Sequence, residues 1–308
     1  MTDGSQLLPR NTKTTMDECL VCNAVEHDLR FSATFAGTAA DAHDYFLAHR
    51  AATARGDIVR CRQCGFVFTS PRFSDDDYDR IYKAVPRPEL LDASFTAAKS
   101  ARFKRLSRIV REFQPSPVPF LDFGCGDGSF LREFGSAAGT GFEIGPSGRH
   151  KAGPCDVITG DWAVVAASPA LREASFDFAV AFDVLEHLPR IERDVAAIRR
   201  VLKPNGLLFA TVPNIRSWVA RAMGSRWNML LLEHLWYFNP ETFSEFMARQ
   251  GFTLLETRAV PFDAPLAHLF TRLAQTFGMK GQFSAGPVSR LVVPVPAGLM
   301  LGVFRSRQ

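Results

Sequence analysis

The stretch FLDFGCGDGSFL (residues 120–131) sets Gly124, Gly126 and Gly128 at alternate positions behind an apolar, strand-like run that carries Asp122. Glycines at that spacing let a backbone pass close beneath a ligand where a Cβ would collide. The pattern is not the G-x-G-x-x-G of dinucleotide folds, because Ser129 holds the place of the last glycine, and it is not the G-x-x-x-x-G-K-[ST] of phosphate loops. A G-x-G-x-G turn with an acid ahead of it suits a ligand that lacks pyrophosphate and carries an ammonium group. Prolines in QPSPVP (114–119) mark a boundary just before it.

Downstream, strand-like and helix-like segments alternate: FLDFG, GSFLREFG, GTGFEI, DVITGD, FDFAVAF, IERDVAAIRRVL, LLFATVP, with KPNG (203–206) as a turn. Apolar strands without strict alternation, separated by helices, predict a parallel sheet covered on both faces, an α/β doubly wound, Rossmann-like architecture. Ligands in such sheets lie at the carboxyl ends of the strands. Four strand ends there deliver an acid to one rim. Asp122 comes first, and Glu143, nineteen residues after Gly124, suits the two hydroxyls of a ribose. Asp161 suits an adenine amino group with Trp162 beside the base, and Asp183 follows FDFAVAF. Any one acid could be a helix cap, but four in register are hard to explain that way.

Ahead of this region, Cys19 and Cys22 stand in CLVC and Cys61 and Cys64 in CRQCG. Four thiolates match the tetrahedral preference of Zn²⁺, and each two-residue gap lets one turn present two sulfurs. Redox-active or incidental cysteines are the alternative. Gly65 and Asn23 follow the pairs, where positive φ is needed. The 38 residues between the pairs exceed the usual zinc-ribbon spacing, so extra structure is inserted. Cys125 and Cys155 read as packed residues. The expected organisation is a tail (1–14), a small zinc-ribbon-like module (15–75), a helical connection (76–115) and a ligand-binding domain (116–308) with substrate-covering insertions at 216–238 and 262–290. The connection places Phe103, Leu106, Val110 and Phe113 on a helical stripe. Arg102, Lys104, Arg105, Arg108 and Arg111 are expected off it, as a solvated face or a grip for nucleic acid.

The glycine loop, the ribose acid, DVLEHL (183–188) and VLKPNG followed by a strand and PN together resemble the class I S-adenosylmethionine-dependent methyltransferases over residues 120–214. The resemblance implies an S-adenosylmethionine-binding catalytic domain. Residues 15–75 resemble the zinc-binding region ahead of some bacterial small-molecule methyltransferases, including enzymes that methylate nucleotide-linked sugars. LLEHLWYF (231–238) resembles that group as well, and its members place a Glu-His pair beside the acceptor. The carry-over makes Glu233 and His234 catalytic candidates, with His187 of LEHL competing for the role of base. Leu231 stands where the sugar C-methylating members carry a tyrosine.

The leading expectation is therefore methyl transfer to a small-molecule acceptor, a sugar or glycan precursor among the choices. The alternatives are an RNA methyltransferase that uses the zinc module and basic helix to grip nucleic acid, and an inactive interaction protein. No [DN]PP[YF] follows the fourth strand, and the basic residues are spread rather than blocked, so nucleic acid is the weaker partner. With 36 Lys+Arg against 32 Asp+Glu, 46% hydrophobic and 22% charged residues, the composition is that of a soluble globular protein. The polar start MTDGSQLLPRNTKTTMDE lacks a signal-peptide core, and LVVPVPAGLMLGVF (291–304) is too short and too proline-rich to span a membrane, so a cytoplasmic location is expected.

Overall fold

The computed structural model describes residues 17–42, 45–46, 54–84, 93–144, 148–160, 171, 173–276 and 291–307. Asp161 and Trp162 lie outside the described residues, as do 277–290 of the second expected insertion.

The strands, in chain order, are β1 (His27–Phe31), β2 (Ile58–Cys61), β3 (Val67–Thr69), β4 (Phe120–Phe123), β5 (Gly139–Ile144), β6 (Gly148–Ala152), β7 (Cys155–Gly160), β8 (Phe176–Phe182), β9 (Leu202–Pro213), β10 (Trp236–Tyr237), β11 (Phe252–Pro265) and β12 (Val292–Ser306). Eight of them form one sheet in the order β11-β12-β9-β8-β4-β5-β7-β6. The inner strands are parallel, β4 between β5 and β8, with β7 and β9 next to these. β12 enters antiparallel beside β9, β11 antiparallel beside β12, and β6 antiparallel at the far edge. The chain runs outward from β4 to β7 and then returns to β8, so the topological switch point lies at β4, directly under the glycine loop.

Period-two alternation divides the strands between two cores. Phe120, Phe178, Val180 and Phe209 pack under the helices Ala93–Phe113 and Ser129–Phe134, with the Phe120 and Phe178 rings stacked at 4.8 Å. On the opposite face, Leu121, Phe123, Ala179 and Ala210 meet Ile191, Val195 and Ile198 of helix Ile191–Val201, and Phe243 and Phe246 of helix Pro240–Arg249. Each buried phenylalanine contributes about 1.5–3 kcal/mol relative to exposure. The second core does not stop at the large sheet. Cys19, Val21, Val59, Phe66, Phe68, Tyr78 and Ile81 of the cysteine-bearing region belong to it.

That region forms a second, four-stranded sheet, β1-β2-β3-β10, whose last strand comes from Trp236–Tyr237, far along the chain. Thr69 seals the join: its N–H donates to the Leu235 carbonyl and its hydroxyl to the His234 carbonyl. The extra structure between the cysteine pairs includes β1 and the short helix Ala39–Ala42. Phe46 packs there on Tyr82 at 5.4 Å between ring centres. Residues 227–238, part of the first expected substrate-covering insertion, are packed: Trp227, Leu230, Leu235, Trp236, Tyr237 and Phe238 are buried, and the Trp227 indole donates to the Ala297 carbonyl.

Three local expectations change. The crossover from β5 to β7 includes a strand, β6, in place of a helix. KPNG is not a free turn but a wide bulge inside β9. Phe176 pairs with Leu202 and Phe178 already with Leu207, so the tetrapeptide loops out with Asn205 at φ 62° and Lys203 paired to Asp177 at 2.7 Å. The basic face of helix Ala93–Phe113 is only partly solvated: Lys104, Arg108 and Arg111 are exposed, but Arg102 and Arg105 turn inward. Arg102 is 5% exposed, because a residue four positions before Leu106 lies on the same face as the apolar stripe. Arg105 pairs with buried Asp263 at 2.9 Å, and Arg111 donates to the Phe134 carbonyl.

Candidate functional site

The loop after β4 runs through three left-handed residues, Gly124 at φ 75°, Gly126 at 54° and Gly128 at 74°. Their reasons for being glycine differ. A Cβ on Gly124 would meet Val184 Cγ2 at 2.5 Å, and one on Gly128 would meet Ala152 Cβ at 2.2 Å, so both are required by protein packing. A Cβ on Gly126 would meet nothing within 4 Å. Only Gly126 faces open space, so the sequence-level reason, room for a ligand, applies to it alone.

Two acids flank the loop. Asp122, 3% exposed, keeps Oδ2 without a hydrogen-bond partner. Burial, and then the charge of Glu143, raise its pKa to about 8. Glu143 accepts from the Gly126 N–H at 2.6 Å. A buried carboxyl oxygen without a partner, an open glycine and a ribose-type acid on the next strand fit the amino-acid and ribose portions of S-adenosylmethionine. Asp183, at φ 57°, ends β8, where Arg102 grips both its oxygens at 2.7 and 2.6 Å and the Thr211 hydroxyl bonds Oδ1 at 2.8 Å. Arg102 was not legible as a site residue; its i−4 relation to Leu106 is the signal that could have found it.

Past Asp183, a 3₁₀ turn at Leu185–His187 lies against the 229–236 segment. The structure brings the two competing histidines together, with ring centres 4.7 Å apart, edge to face. His187 Nδ1 lies 3.1 Å from the Glu233 carbonyl and His234 Nδ1 2.7 Å from the Met229 carbonyl. A carbonyl only accepts, so each Nδ1 carries the proton and each Nε2 holds the lone pair in the neutral ring. Burial, with His187 beside it, holds His234 well below the usual imidazole range. Residues 232–233 form a turn rather than a helix, so Glu233 and His234 escape helical divergence. Tyr82 donates to the His187 carbonyl at 3.2 Å, and Leu235 N–H to the Glu186 carbonyl at 2.8 Å. Glu186 and Tyr82 were missed in the sequence reading, although LEHL holds Glu186 beside His187.

The four paired cysteines converge. Cys19 and Cys64 sulfurs are 3.5 Å apart, as are those of Cys22 and Cys61. Tetrahedral Zn²⁺ with bonds of about 2.3 Å sets its sulfurs about 3.8 Å apart. Asn23 and Gly65 take the positive φ expected of them, 62° and 74°, and each closes its turn with an N–H onto the carbonyl of the first cysteine. Against its burial, the N–H groups of Cys64 and Gln63 and the neighbouring thiols draw Cys61 down to about 7, while burial pushes the Cys19 and Cys64 thiols up. Cys125 and Cys155 are buried, as read. Among the described residues, no helix is long and apolar enough to cross a membrane.

The family model described as a methyltransferase domain matches residues 98–257. A ubiquinone biosynthesis O-methyltransferase of Burkholderia thailandensis is 25% identical over 165 residues, 49% of this chain and 70% of that protein. Among solved structures, the 1,6-didemethyltoxoflavin-N1-methyltransferase of the same species, holding 1,6-didemethyltoxoflavin and S-adenosylhomocysteine, is 16% identical, covers 81% of this chain and 99% of its own, and has a TM-score of 0.42. A Methanosarcina mazei methyltransferase is 15% identical over 64% of this chain and 96% of its own, with a TM-score of 0.41. The matched residues run from the helix that supplies Arg102, through the glycine loop and both histidines, into β11, just over half of the sequence. The chain therefore belongs to the methyltransferase-domain family and is an S-adenosylmethionine-dependent methyltransferase.

Proposed function

We propose that the chain methylates a hydroxyl oxygen of a small-molecule acceptor seated over the His187–His234 pair. The observation that carries this reading is the pair itself: two imidazoles in contact on the sheet rim, each with Nδ1 committed to a carbonyl and Nε2 left basic. When bound, S-adenosylmethionine supplies a methyl group already activated by its sulfonium. The chain's own work is then to align the acceptor and take one proton. His234, kept neutral by burial, is the base; Glu233 orients the pair through its carbonyl on His187 Nδ1. For the cofactor, Gly126 gives passage, Asp122 meets the ammonium, Glu143 accepts from the ribose hydroxyls, and Gly124 and Gly128 shape the loop. Asp183 completes the rim, and Asp161 and Trp162 are assigned to adenine on sequence grounds. A sugar or glycan precursor is the acceptor that the resemblance of residues 15–75 indicates. The internal pairing of Arg102, Arg105 and Arg111 weighs against nucleic acid. Transfer of label from methyl-labelled donor tests this: label in hydroxylated metabolites supports it, and label in RNA alone overturns it.

The Asp122 assignment has a pH signature. Its folded carboxyl is protonated below about 8, and an ammonium placed against it favours the carboxylate. Binding at pH 7 therefore releases a proton, and affinity rises as pH climbs from 6 toward 8. Calorimetry in buffers of different ionisation enthalpy should show release of close to a full proton per ligand, and Asp122→Asn should remove it. A wild-type binding heat independent of buffer excludes the assignment.

Cys19, Cys22, Cys61 and Cys64 are proposed to hold one structural Zn²⁺, since four protein sulfurs leave no open position for chemistry. Purified protein should contain equimolar zinc, and the Cys61→Ser, Cys64→Ser double variant should lose it. Because β10 completes the sheet of this region, chelation should raise hydrogen exchange at Leu235–Tyr237 as well as around the cysteines. Zinc-free native protein, or exchange unchanged in β10, counts against it.

A further inference from the structure

We propose that Glu186, His187 and His234 form a divalent-cation site at the acceptor end of the active site. Donor atoms from these three residues, one from each, all lie within 4.8 Å of one another. Tetrahedral bonds of about 2.0–2.2 Å set donors about 3.3–3.6 Å apart, so the widest pair would close by up to about 1.5 Å. Three further observations point to a ligand rather than to packing. Glu186 is 1% exposed, and its Oε2 has no hydrogen-bond partner. A buried carboxyl oxygen left without a partner beside two imidazoles is costly unless something completes it. Both histidines donate Nδ1–H to backbone carbonyls, of Glu233 and Met229, which fixes the tautomer and leaves the Nε2 lone pair for a ligand, as is usual for metal-ligating histidine. The backbone on both sides is pinned: Tyr82 holds the His187 carbonyl, Thr69 the His234 carbonyl, and Leu235 N–H the Glu186 carbonyl. The donors are thus preorganised by three separate parts of the chain.

Two imidazoles and one carboxylate suit Mn²⁺, Fe²⁺ or Zn²⁺, and three protein ligands leave positions open. The site lies past the end of β8, and Val184, just before the 3₁₀ turn, touches the glycine loop, so an acceptor oxygen that joins the ion stands near the donor pocket. The ion lowers the pKa of that hydroxyl and its proton leaves to solvent; no oxidant or reductant is needed. The substrate class narrows to acceptors with an ionisable or chelating oxygen, such as a phenol, an enol or a vicinal diol. In this state His234 acts through the ion rather than as a free base. The assignment rests on the placement of the acceptor at the histidine pair.

The test uses the full-length protein with its cysteine site loaded with zinc, and Mn²⁺ as the probe, because thiolates select zinc while imidazole and carboxylate accept manganese. Loss of the free Mn²⁺ electron-paramagnetic signal should titrate to one site per chain, with nitrogen hyperfine coupling from imidazole. Glu186→Gln and His187→Gln should each weaken binding by at least about tenfold. S-adenosylmethionine calorimetry on the same samples shows which variants are folded. Wild type that binds S-adenosylmethionine but takes up no Mn²⁺, or Mn²⁺ without nitrogen coupling, overturns the site and leaves the methyl-transfer reading standing. Folded variants that bind Mn²⁺ as tightly as wild type overturn it too. Wild type that ignores S-adenosylmethionine sinks the placement of the acceptor, whatever the ion does.

Discussion

Gly126→Arg is expected to abolish S-adenosylmethionine binding while the chain stays folded. The expectation comes from the unequal surroundings of the three loop glycines. At Gly126 an added Cβ meets no protein atom within 4 Å, so an arginine can extend into the space proposed for the ligand, beside the Glu143 that accepts from the Gly126 N–H. The cost to the fold is that of a non-glycine residue at φ 54°, about 1–2 kcal/mol. That lowers the melting temperature by only about 2–4 °C for a chain of this size. Gly124→Ala and Gly128→Ala invert the pattern. Their methyl groups collide with Val184 and Ala152, so stability falls first and binding follows. Calorimetry and thermal melts on the three variants settle the matter. If Gly126→Arg binds the ligand at wild-type strength, the open face of the loop is not the donor pocket.

The contrast among these glycines also shows what the sequence could and could not carry. Alternation of apolar segments was enough for the parallel inner strands, though not for the antiparallel β6, β11 and β12 that make the sheet mixed, because a buried strand writes its own pattern in consecutive apolar residues such as FDFAVAF. The cysteine turns were legible for a similar reason: two-residue gaps followed by Asn23 and Gly65 encode a local backbone shape. Long-range joins leave no such mark. Nothing in WY announces that Trp236 and Tyr237 complete a sheet begun at His27, since two residues cannot display a period. Arg102 was read as solvated because charge usually follows exposure, and its partner Asp183 lies 81 residues away. The two histidines looked like rivals because they are 47 positions apart in sequence, and only the fold, which lays the 229–236 segment against the turn after β8, makes them neighbours.

His234→Ala should leave S-adenosylmethionine affinity within a few-fold of wild type and reduce turnover at least a hundredfold. The residue lies outside the glycine loop, and its contacts run to Met229, His187 and Tyr237 rather than to Asp122 or Glu143, so the donor pocket should survive. What is lost is the Nε2 lone pair at the acceptor. A positioned general base is worth about 10²–10⁴ in rate, and removal of a ligand from a cation at the same place would be felt at least as strongly. Removing a buried imidazole also leaves a hole beside His187 and strips the Met229 carbonyl of its donor, so His234→Gln serves as a control that keeps much of the volume and an N–H to donate. Both variants should bind the donor, and neither should turn over normally. The pH profile adds a readout that packing damage alone would not move. With His234 held neutral well below the ordinary imidazole range, wild-type turnover should not fall through pH 6.5 on its account, since no proton competes for Nε2 there. Normal turnover in His234→Ala together with loss in His187→Ala would place the proton acceptor on the turn after β8 instead.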